Sequence, residues 1–178
     1  MKWQEQRSKL RTSSSWLCFQ SHTFLEQTIM LEERFINLDA IRLNDDSSSK
    51  KRVLEQVAKL LSRNDPELAN DIFDRLLERE RLGSTGLAGG VALPHARMPG
   101  IENTRGAFIR LDEGVDFDAL DQQPVDLIFA LMVPEDAPDT HLQILAKLAA
   151  LFGDAAKADA LRKASPEGAL DLLQHVDA

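Results

Sequence analysis

Residues 125–133 read Val-Asp-Leu-Ile-Phe-Ala-Leu-Met-Val, and every residue of this run except Asp126 is apolar. An apolar run of strand length without polar alternation is typical of a β-strand that is covered on both faces. Residues 107–111 form a second strand-like run, and residues 91–93 form a short third one before Pro94. The sequence therefore predicts a small sheet with residues 125–133 as a central strand.

Helical periodicity surrounds these strands. Apolar side chains share one face over residues 53–61 and again over residues 68–77, and a serine of the run 47–49 and Asp65 are suited to cap the two helices. Gly83 is placed to end the second helix. Three further helices are predicted at residues 140–152, 155–163 and 166–176. This order of elements indicates one α/β domain in which helices cover a small sheet.

Composition and charge exclude several classes of protein. The chain has 178 residues, of which 43% are hydrophobic and 28% charged, and this balance is that of a globular domain. The single cysteine, Cys18, excludes an intrachain disulfide and a cysteine-built zinc site, so we expect a reducing, cytoplasmic location. The net charge of −8 argues against nucleic-acid binding. No uncharged apolar run approaches the roughly 18 residues that a membrane span needs, so no membrane insertion is expected.

The first 29 residues differ from the rest of the chain. They carry four basic and two acidic residues, whereas the remainder is strongly acidic. They are rich in serine and show no helical or strand periodicity. We therefore predict a weakly ordered N-terminal tail at residues 1–29 and a folded domain at residues 30–178, with Met30 as an alternative start.

His95 is the first candidate for chemistry. It ends the run 91–95, in which a short strand is stopped by proline, and four glycines crowd the preceding loop: Gly83, Gly86, Gly89 and Gly90. A histidine at a strand end beside a glycine-rich loop is suited to face a crevice, and glycine N–H groups can bind an anion. A histidine in a surface turn explains the pattern equally well, so both interpretations stay open.

His141 is the second candidate. It lies in the first turn of a predicted helix and shares a face with Leu145 and Leu148. The unpaired N–H groups of a first turn favour a neutral imidazole and a nearby anion. Packing of a partly buried ring is the alternative that the pattern alone favours. His22 and His175 have structural interpretations.

Several common catalytic motifs are absent from the sequence. It contains no phosphate-binding loop of the Gly-x-x-x-x-Gly-Lys-Ser/Thr type, no His-Glu-x-x-His and no Gly-x-Ser-x-Gly. Five acidic residues cluster within residues 112–121 but lack the spacing of a calcium loop, so a solvated acidic connection is the preferred interpretation.

The segment 80–95, Glu-Arg-Leu-Gly-Ser-Thr-Gly-Leu-Ala-Gly-Gly-Val-Ala-Leu-Pro-His, resembles the phosphorylation-site signature of a known family. This is the family of mannitol/fructose-type IIA (EIIA type 2) domains of the bacterial phosphoenolpyruvate-dependent phosphotransferase system. The resemblance covers about residues 35–176 and is greatest to the nitrogen-regulatory branch, through residues 83–86 and 117–127 and the Thr-His-Leu at 140–142. Two departures are Ala96, where glycine is usual, and Ala88-Gly89-Gly90.

The resemblance implies a mixed parallel and antiparallel sheet flanked by helices on both faces. It implies that His95 accepts a phosphoryl group, that His141 supports it, and that Arg79 stabilises the phosphate charge, without a metal or other cofactor. The loop residues expected to form the phosphate rim are Ser84, Thr85, Gly86, Gly89 and Gly90. The implied donor is a phosphorylated HPr-like carrier, docking on Leu87, Leu93 and Met98, and unidentified regulatory targets would be further partners.

Three alternatives remain at this point. A sugar-specific IIA domain would pass its phosphate to a IIB partner. A metal-dependent hydrolase would use His95, His141 and an acidic residue. A pure interaction module would carry only structural histidines.

Overall fold

The computed structural model describes residues 35–63, 65–136 and 140–174, apart from the side chains of Thr140 and His141. The predicted tail at residues 1–29 lies outside the described residues and stays a prediction, and so does the remainder of the last predicted helix beyond residue 174.

The predicted helices and strands occur in the predicted order, together with two strands that were not predicted, at Ile41–Asp45 and His95–Met98. The chain forms a 3₁₀ turn at Leu38–Ala40, strand β1 at Ile41–Asp45, helices α1 at Lys50–Leu61 and α2 at Pro66–Arg81, strands β2 at Val91–Ala92, β3 at His95–Met98, β4 at Arg105–Val115 and β5 at Val125–Pro134, and helices α3 at Thr140–Gly153, α4 at Ala155–Lys163 and α5 at Pro166–Gln174.

Local side chains determine where the helices begin. The Ser49 hydroxyl accepts a hydrogen bond from the backbone N–H of Arg52 at α1, and the Asp65 carboxylate accepts two at α2, where Pro66 takes the first position. Asp154 caps α4 in the same way. Each cap satisfies N–H groups that lack a partner inside the helix, so these boundaries can be predicted from the sequence.

The sheet is mixed, and β5 is its central strand. Among the described strands the order is β1-β4-β5-β2, and β3 pairs with β5 beyond the end of β2. β5 runs antiparallel to β4 and parallel to both β2 and β3, while β1 runs parallel to β4. Residues 127–133 of β5 are almost completely buried, as the apolar run predicts.

Helices cover both faces of this sheet. Arg105 and Arg110 of β4 show this. They lie an odd number of positions apart, and alternate residues of a strand point to opposite faces, so their side chains lie on opposite faces of the sheet. Arg105 donates to the carbonyl of Leu61 at the end of α1, at 3.1 Å. Arg110 donates to the carbonyls of Arg162 and Ala164 at the end of α4, at 2.7 and 3.0 Å. The fold implied by the family resemblance is thereby confirmed.

The structure also differs from the sequence prediction. Strand β1 was not predicted, because only Ile41 and Leu43 are apolar in this half-buried edge strand. β4 continues to Val115, although residues 112–115 were predicted as part of an acidic connection. Residues 112–114 are Asp, Glu and Gly and are exposed, so the segment lacks the apolar pattern of a buried strand.

Candidate functional site

His95 opens strand β3 instead of ending the preceding strand. β2 and β3 both pair with β5, and the Leu93-Pro94 step separates them. Proline does not end the pairing here, because its carbonyl accepts a hydrogen bond from the N–H of Leu131 at 2.9 Å. His95 lies opposite Leu131 in the register and is half-buried. The ring is therefore carried by a strand beside the central strand of the sheet.

A backbone hydrogen bond orients the His95 ring. Nδ1 lies 2.8 Å from the carbonyl oxygen of Leu93. A carbonyl oxygen can only accept, so Nδ1 carries the hydrogen and donates it. In the neutral ring the lone pair then belongs to Nε2. This arrangement makes Nε2 the nucleophilic atom of the imidazole.

His95 and Arg79 line the same cavity, which has a volume of about 260 Å³. Its described lining comprises Arg79, His95, Ala96, Arg97, Leu131, Val133 and Leu145. Arg79 comes from the last turn of α2, which packs against β3, and its Nη1 donates to the carbonyl of Gly83 at 3.0 Å. Two of the three predicted principal residues thus share one cavity.

Arg97 is a cavity residue that the sequence analysis missed. It follows His95 by two positions in β3, so both side chains project from the same face of the strand. The alternation in His95-Ala96-Arg97-Met98, with residues 96 and 98 buried, is the signal that could have revealed it. The signal was missed because the strand was predicted to end at Pro94.

His141 occupies the predicted part of its helix. α3 begins at Thr140, so residue 141 lies in the first turn, and its side chain is outside the described atoms. Leu145, one turn later, lines the cavity with His95. Positions four apart lie on the same side of a helix. The backbone of residue 141 is therefore one helical turn from a cavity residue.

The predicted phosphate-rim residues do not line this cavity. The Ser84 hydroxyl donates to the carbonyl of Phe117 at 2.6 Å and accepts from the N–H of Gly86 at 3.0 Å. The N–H of Gly89 donates to the Asp121 carboxylate at 2.8 Å, and the Gly90 carbonyl accepts from two N–H groups of β5. These groups are engaged within the protein, and phosphate binding by them stays a prediction.

Thr85, the remaining rim residue, belongs to a buried polar network. Its N–H and its hydroxyl both donate to the Glu80 carboxylate, the hydroxyl at 2.6 Å. Glu80 is only 8% exposed and also contacts the Lys50 ammonium at 2.6 Å. The Thr85 carbonyl in turn accepts from the N–H of Leu93 at 3.0 Å. The network therefore connects the end of α2 with Leu93, the residue whose carbonyl orients His95.

Lys50 completes this network. Its ammonium also lies 3.0 Å from the Asp118 carboxylate and from the Phe117 carbonyl. Desolvation is the largest single effect on the pKa of Lys50 and lowers it. The hydrogen bonds to Glu80 and Asp118, with their charges, outweigh desolvation, so the pKa lies above its ordinary value of 10.5. Lys50 therefore remains charged. Its contacts to Glu80 and Asp118 link the acidic connection to α2.

Arg162 of α4 holds the Gly89–Gly90 turn in place. Its guanidinium makes two parallel hydrogen bonds of 2.7 Å to Asp126 and donates to the carbonyl of Gly89, also at 2.7 Å. Gly90 has a φ of +78°, and a Cβ there would lie 2.8 Å from this guanidinium and from the Asp126 carboxylate. Glycine is therefore required at this close approach.

The carboxylate of Asp121 should make an acid-dependent contribution to stability. The N–H groups of Gly89 and Gln123 donate to it and lower its pKa below the ordinary 3.8. Because the folded pKa is the lower one, the stabilisation is present above about pH 3.8 and is lost as the pH falls through the folded value. Urea unfolding should therefore give a larger free energy of unfolding for wild type than for Asp121→Asn near neutral pH. In acid the two proteins should give the same value. A difference that is the same at both pH values would contradict this role.

The predicted docking residues are mostly buried. Leu93 and Met98 are 6% and 7% exposed, so the prediction that they contact a carrier is wrong. Their apolar side chains belong to the hydrophobic core, and Leu87 is half-buried. The large apolar side chains that are exposed in the described ranges are Leu38, Leu82, Leu120 and Leu142.

The described residues contain neither a metal-binding cluster nor a membrane-spanning helix. No group of three or more His, Cys, Asp or Glu side chains within residues 35–63, 65–136 and 140–174 is arranged to hold a metal ion. None of the helices in this part of the chain combines the length and the apolar character that crossing a membrane requires.

Comparison with known proteins identifies relatives of the whole described domain. Residues 34–175 match the family described as "Phosphoenolpyruvate-dependent sugar phosphotransferase system, EIIA 2". A nitrogen regulatory protein of Pseudomonas aeruginosa is 49% identical over 129 residues, which cover 72% of this chain and 84% of the relative. The nitrogen regulatory protein of Escherichia coli is 37% identical over 135 residues, which cover 74% and 82%.

A solved structure agrees with this result. The chain is similar to the crystal structure of the nitrogen regulatory protein IIA-Ntr from Neisseria meningitidis, with a TM-score of 0.75 and 43% identity over 79% of this chain and 97% of that one. Since the family match extends over most of the chain and these relatives align over most of their own length, this chain belongs to the EIIA type 2 family of the phosphoenolpyruvate-dependent sugar phosphotransferase system.

Proposed function

We propose that the protein is a phosphohistidine carrier that accepts a phosphoryl group from a phosphorylated HPr-like protein onto Nε2 of His95. The observation that carries the proposal is the hydrogen bond from His95 Nδ1 to the Leu93 carbonyl, beside Arg79 in a shared cavity. The bond selects the tautomer that is nucleophilic at Nε2, and the guanidinium supplies the charge that a phosphoryl group requires. The protein would act in the cytoplasm, together with its donor.

The transfer step requires no proton transfer. The bond between phosphorus and the carrier's ring nitrogen breaks while a bond from phosphorus to His95 Nε2 forms. The electron pair of the broken bond returns to the carrier's nitrogen. His95 keeps the hydrogen on Nδ1, so the product is a phosphorylated imidazolium whose positive charge the Leu93 carbonyl stabilises. Such a ring remains a reactive phosphoryl donor for a later acceptor.

Arg79 and His141 would support this step differently. Arg79 already donates a hydrogen bond to the Gly83 carbonyl, so its planar guanidinium is oriented before the phosphoryl group arrives. Residue 141 lies in the first turn of α3, where backbone N–H groups and the helix dipole favour a neutral imidazole and a nearby anion. His141 would then donate one hydrogen bond to a phosphate oxygen.

We propose a regulatory, nitrogen-related role for this carrier. The relatives reported above are named nitrogen regulatory proteins, and they align over most of their length. Passing the phosphate to a IIB partner of a sugar transporter is the alternative, and the regulatory targets would be proteins that distinguish the phosphorylated from the unphosphorylated form.

One experiment tests the proposed function directly. The full chain is incubated with phosphoenolpyruvate, enzyme I and its HPr-type carrier, and the product is examined for an acid-labile, alkali-stable phosphate. We expect one phosphoryl group per chain, located by peptide mapping on the segment that contains His95. An unmodified chain under conditions where the carrier itself is phosphorylated would refute the proposal.

Arg79 gives a prediction about rate. A guanidinium can hold two phosphate oxygens with parallel hydrogen bonds, which an ammonium does not reproduce. We expect Arg79→Lys to slow phosphoryl transfer at least roughly tenfold, or about 1.4 kcal/mol in the barrier, with the fold unchanged. Rapid-quench measurement of phosphoprotein formation gives the rate, and circular dichroism checks the fold. Equal rates would remove Arg79 from the mechanism.

A further inference from the structure

Arg97 is the second cation of the His95 cavity, and the proposed function does not yet use it. It projects from the same face of β3 as His95, two residues later, where it lies opposite Val133. The described lining of the cavity holds two guanidinium groups and no acidic side chain. A transferring phosphoryl group spreads its negative charge over three oxygens, which is more than one guanidinium fork can contact.

The two arginines differ in exposure. Arg79 is half-buried, and its Nη1 donates to the Gly83 carbonyl at 3.0 Å. Arg97 is exposed, and its Nη1 lies 3.4 Å from the Glu135 carbonyl, near the outer limit of a hydrogen bond. Arg79 therefore approaches the cavity from α2 in an oriented position, whereas Arg97 lies on its solvent side, where a phosphorylated carrier must enter.

Resting on the proposed function, we infer that Arg97 binds the phosphoryl group on His95 and stabilises the phosphorylated state. Phosphorylation adds a dianionic group to the cavity that Arg79 and Arg97 line, and a guanidinium forms charge-assisted hydrogen bonds to phosphate oxygens. Arg97 would also be the first protein cation that the incoming phosphate meets.

A role in carrier docking is the rival explanation, and an equilibrium measurement separates the two. At equilibrium the phosphate divides between the free carrier and the free chain, and this ratio does not depend on contacts made only in their complex. A residue that contacts the phosphoryl group in the product changes the ratio. A residue that contacts only the carrier changes KM and leaves the ratio unchanged.

The test uses the full chain with Arg97→Gln, Arg97→Lys and the control Arg81→Gln. Arg81 is an exposed arginine of α2, two residues from Arg79, and does not line the cavity. Radiolabelled phosphate on the purified carrier is equilibrated with each protein, and the label on each partner is counted. Initial rates over a range of carrier concentrations give kcat and KM.

We expect Arg97→Gln to shift the equilibrium about tenfold towards the carrier and to lower kcat about tenfold, because one charge-assisted hydrogen bond is lost. Arg97→Lys should restore part of both effects, and Arg81→Gln should match wild type in the equilibrium. An Arg97→Gln equilibrium equal to that of Arg81→Gln would overturn the inference, even with a raised KM. If the wild type takes no phosphate on His95, the proposed function fails instead, and the two failures are thus distinguishable.

Discussion

The His95→Ala variant should take up no phosphate at all from a phosphorylated carrier. Among the residues that line the cavity, His95 provides the nucleophilic ring nitrogen, and the other described side chains are arginines and apolar groups. A guanidinium remains protonated at neutral pH and is not a nucleophile there. The loss should therefore be complete instead of partial, and gel electrophoresis of radiolabelled protein is a sufficient measurement.

His141→Ala is the matched comparison, because it also removes one imidazole. We expect this variant to be phosphorylated on His95, but more slowly. Losing one hydrogen bond to a charged group costs about 1.5–3 kcal/mol, which corresponds to roughly ten- to a hundredfold in rate. Peptide mapping under alkaline conditions decides between the two histidines. Phosphate on the peptide that contains His141, and none on the His95 peptide, would reverse the assignment.

Much of the fold can be predicted from local sequence features. The apolar run at 125–133 becomes the central strand, and Ser49, Asp65 and Asp154 cap helices at the N–H groups next to them in sequence. These features depend on a few neighbouring residues, so periodicity and capping chemistry are sufficient to identify them. β1 escaped prediction because an edge strand with two apolar residues carries too weak a pattern.

The cavity is harder to predict, because tertiary contacts assemble it. His95 stands out through its motif, but its tautomer depends on a backbone carbonyl that only the folded chain positions. Arg97 enters the cavity through the pairing of β3 with β5, a relationship between residues more than 30 positions apart. The loop residues are a separate case, and their binding of phosphate stays a prediction. Their glycines suggested an anion site, yet their N–H groups donate to Ser84, Glu80 and Asp121.

Among the polar contacts of the described residues, the Glu80–Lys50 pair should be the one whose loss costs most stability. Glu80 is 8% exposed. It accepts hydrogen bonds from the N–H and the hydroxyl of Thr85, and it forms an ion pair with the Lys50 ammonium. An amide at this position has no charge for the ammonium, and its NH₂ group would face two donors whichever oxygen it replaces. Removing one partner of a buried ion pair costs about 3–5 kcal/mol, and Lys50 retains Asp118, so we expect Glu80→Gln to cost about 3 kcal/mol.

Asp118→Asn is the control for this prediction, because it makes the same change of a carboxylate to an amide beside the same ammonium. The Asp118 side chain is 78% exposed and its charge is screened by water, so we expect a loss below about 1 kcal/mol. Asparagine also tolerates the φ of +53° at this position, so backbone strain does not enter the comparison. Urea unfolding at neutral pH gives both values. Equal losses would show that burial does not set the strength of the pair, and that the network through Thr85 to the His95 strand is not held by Glu80.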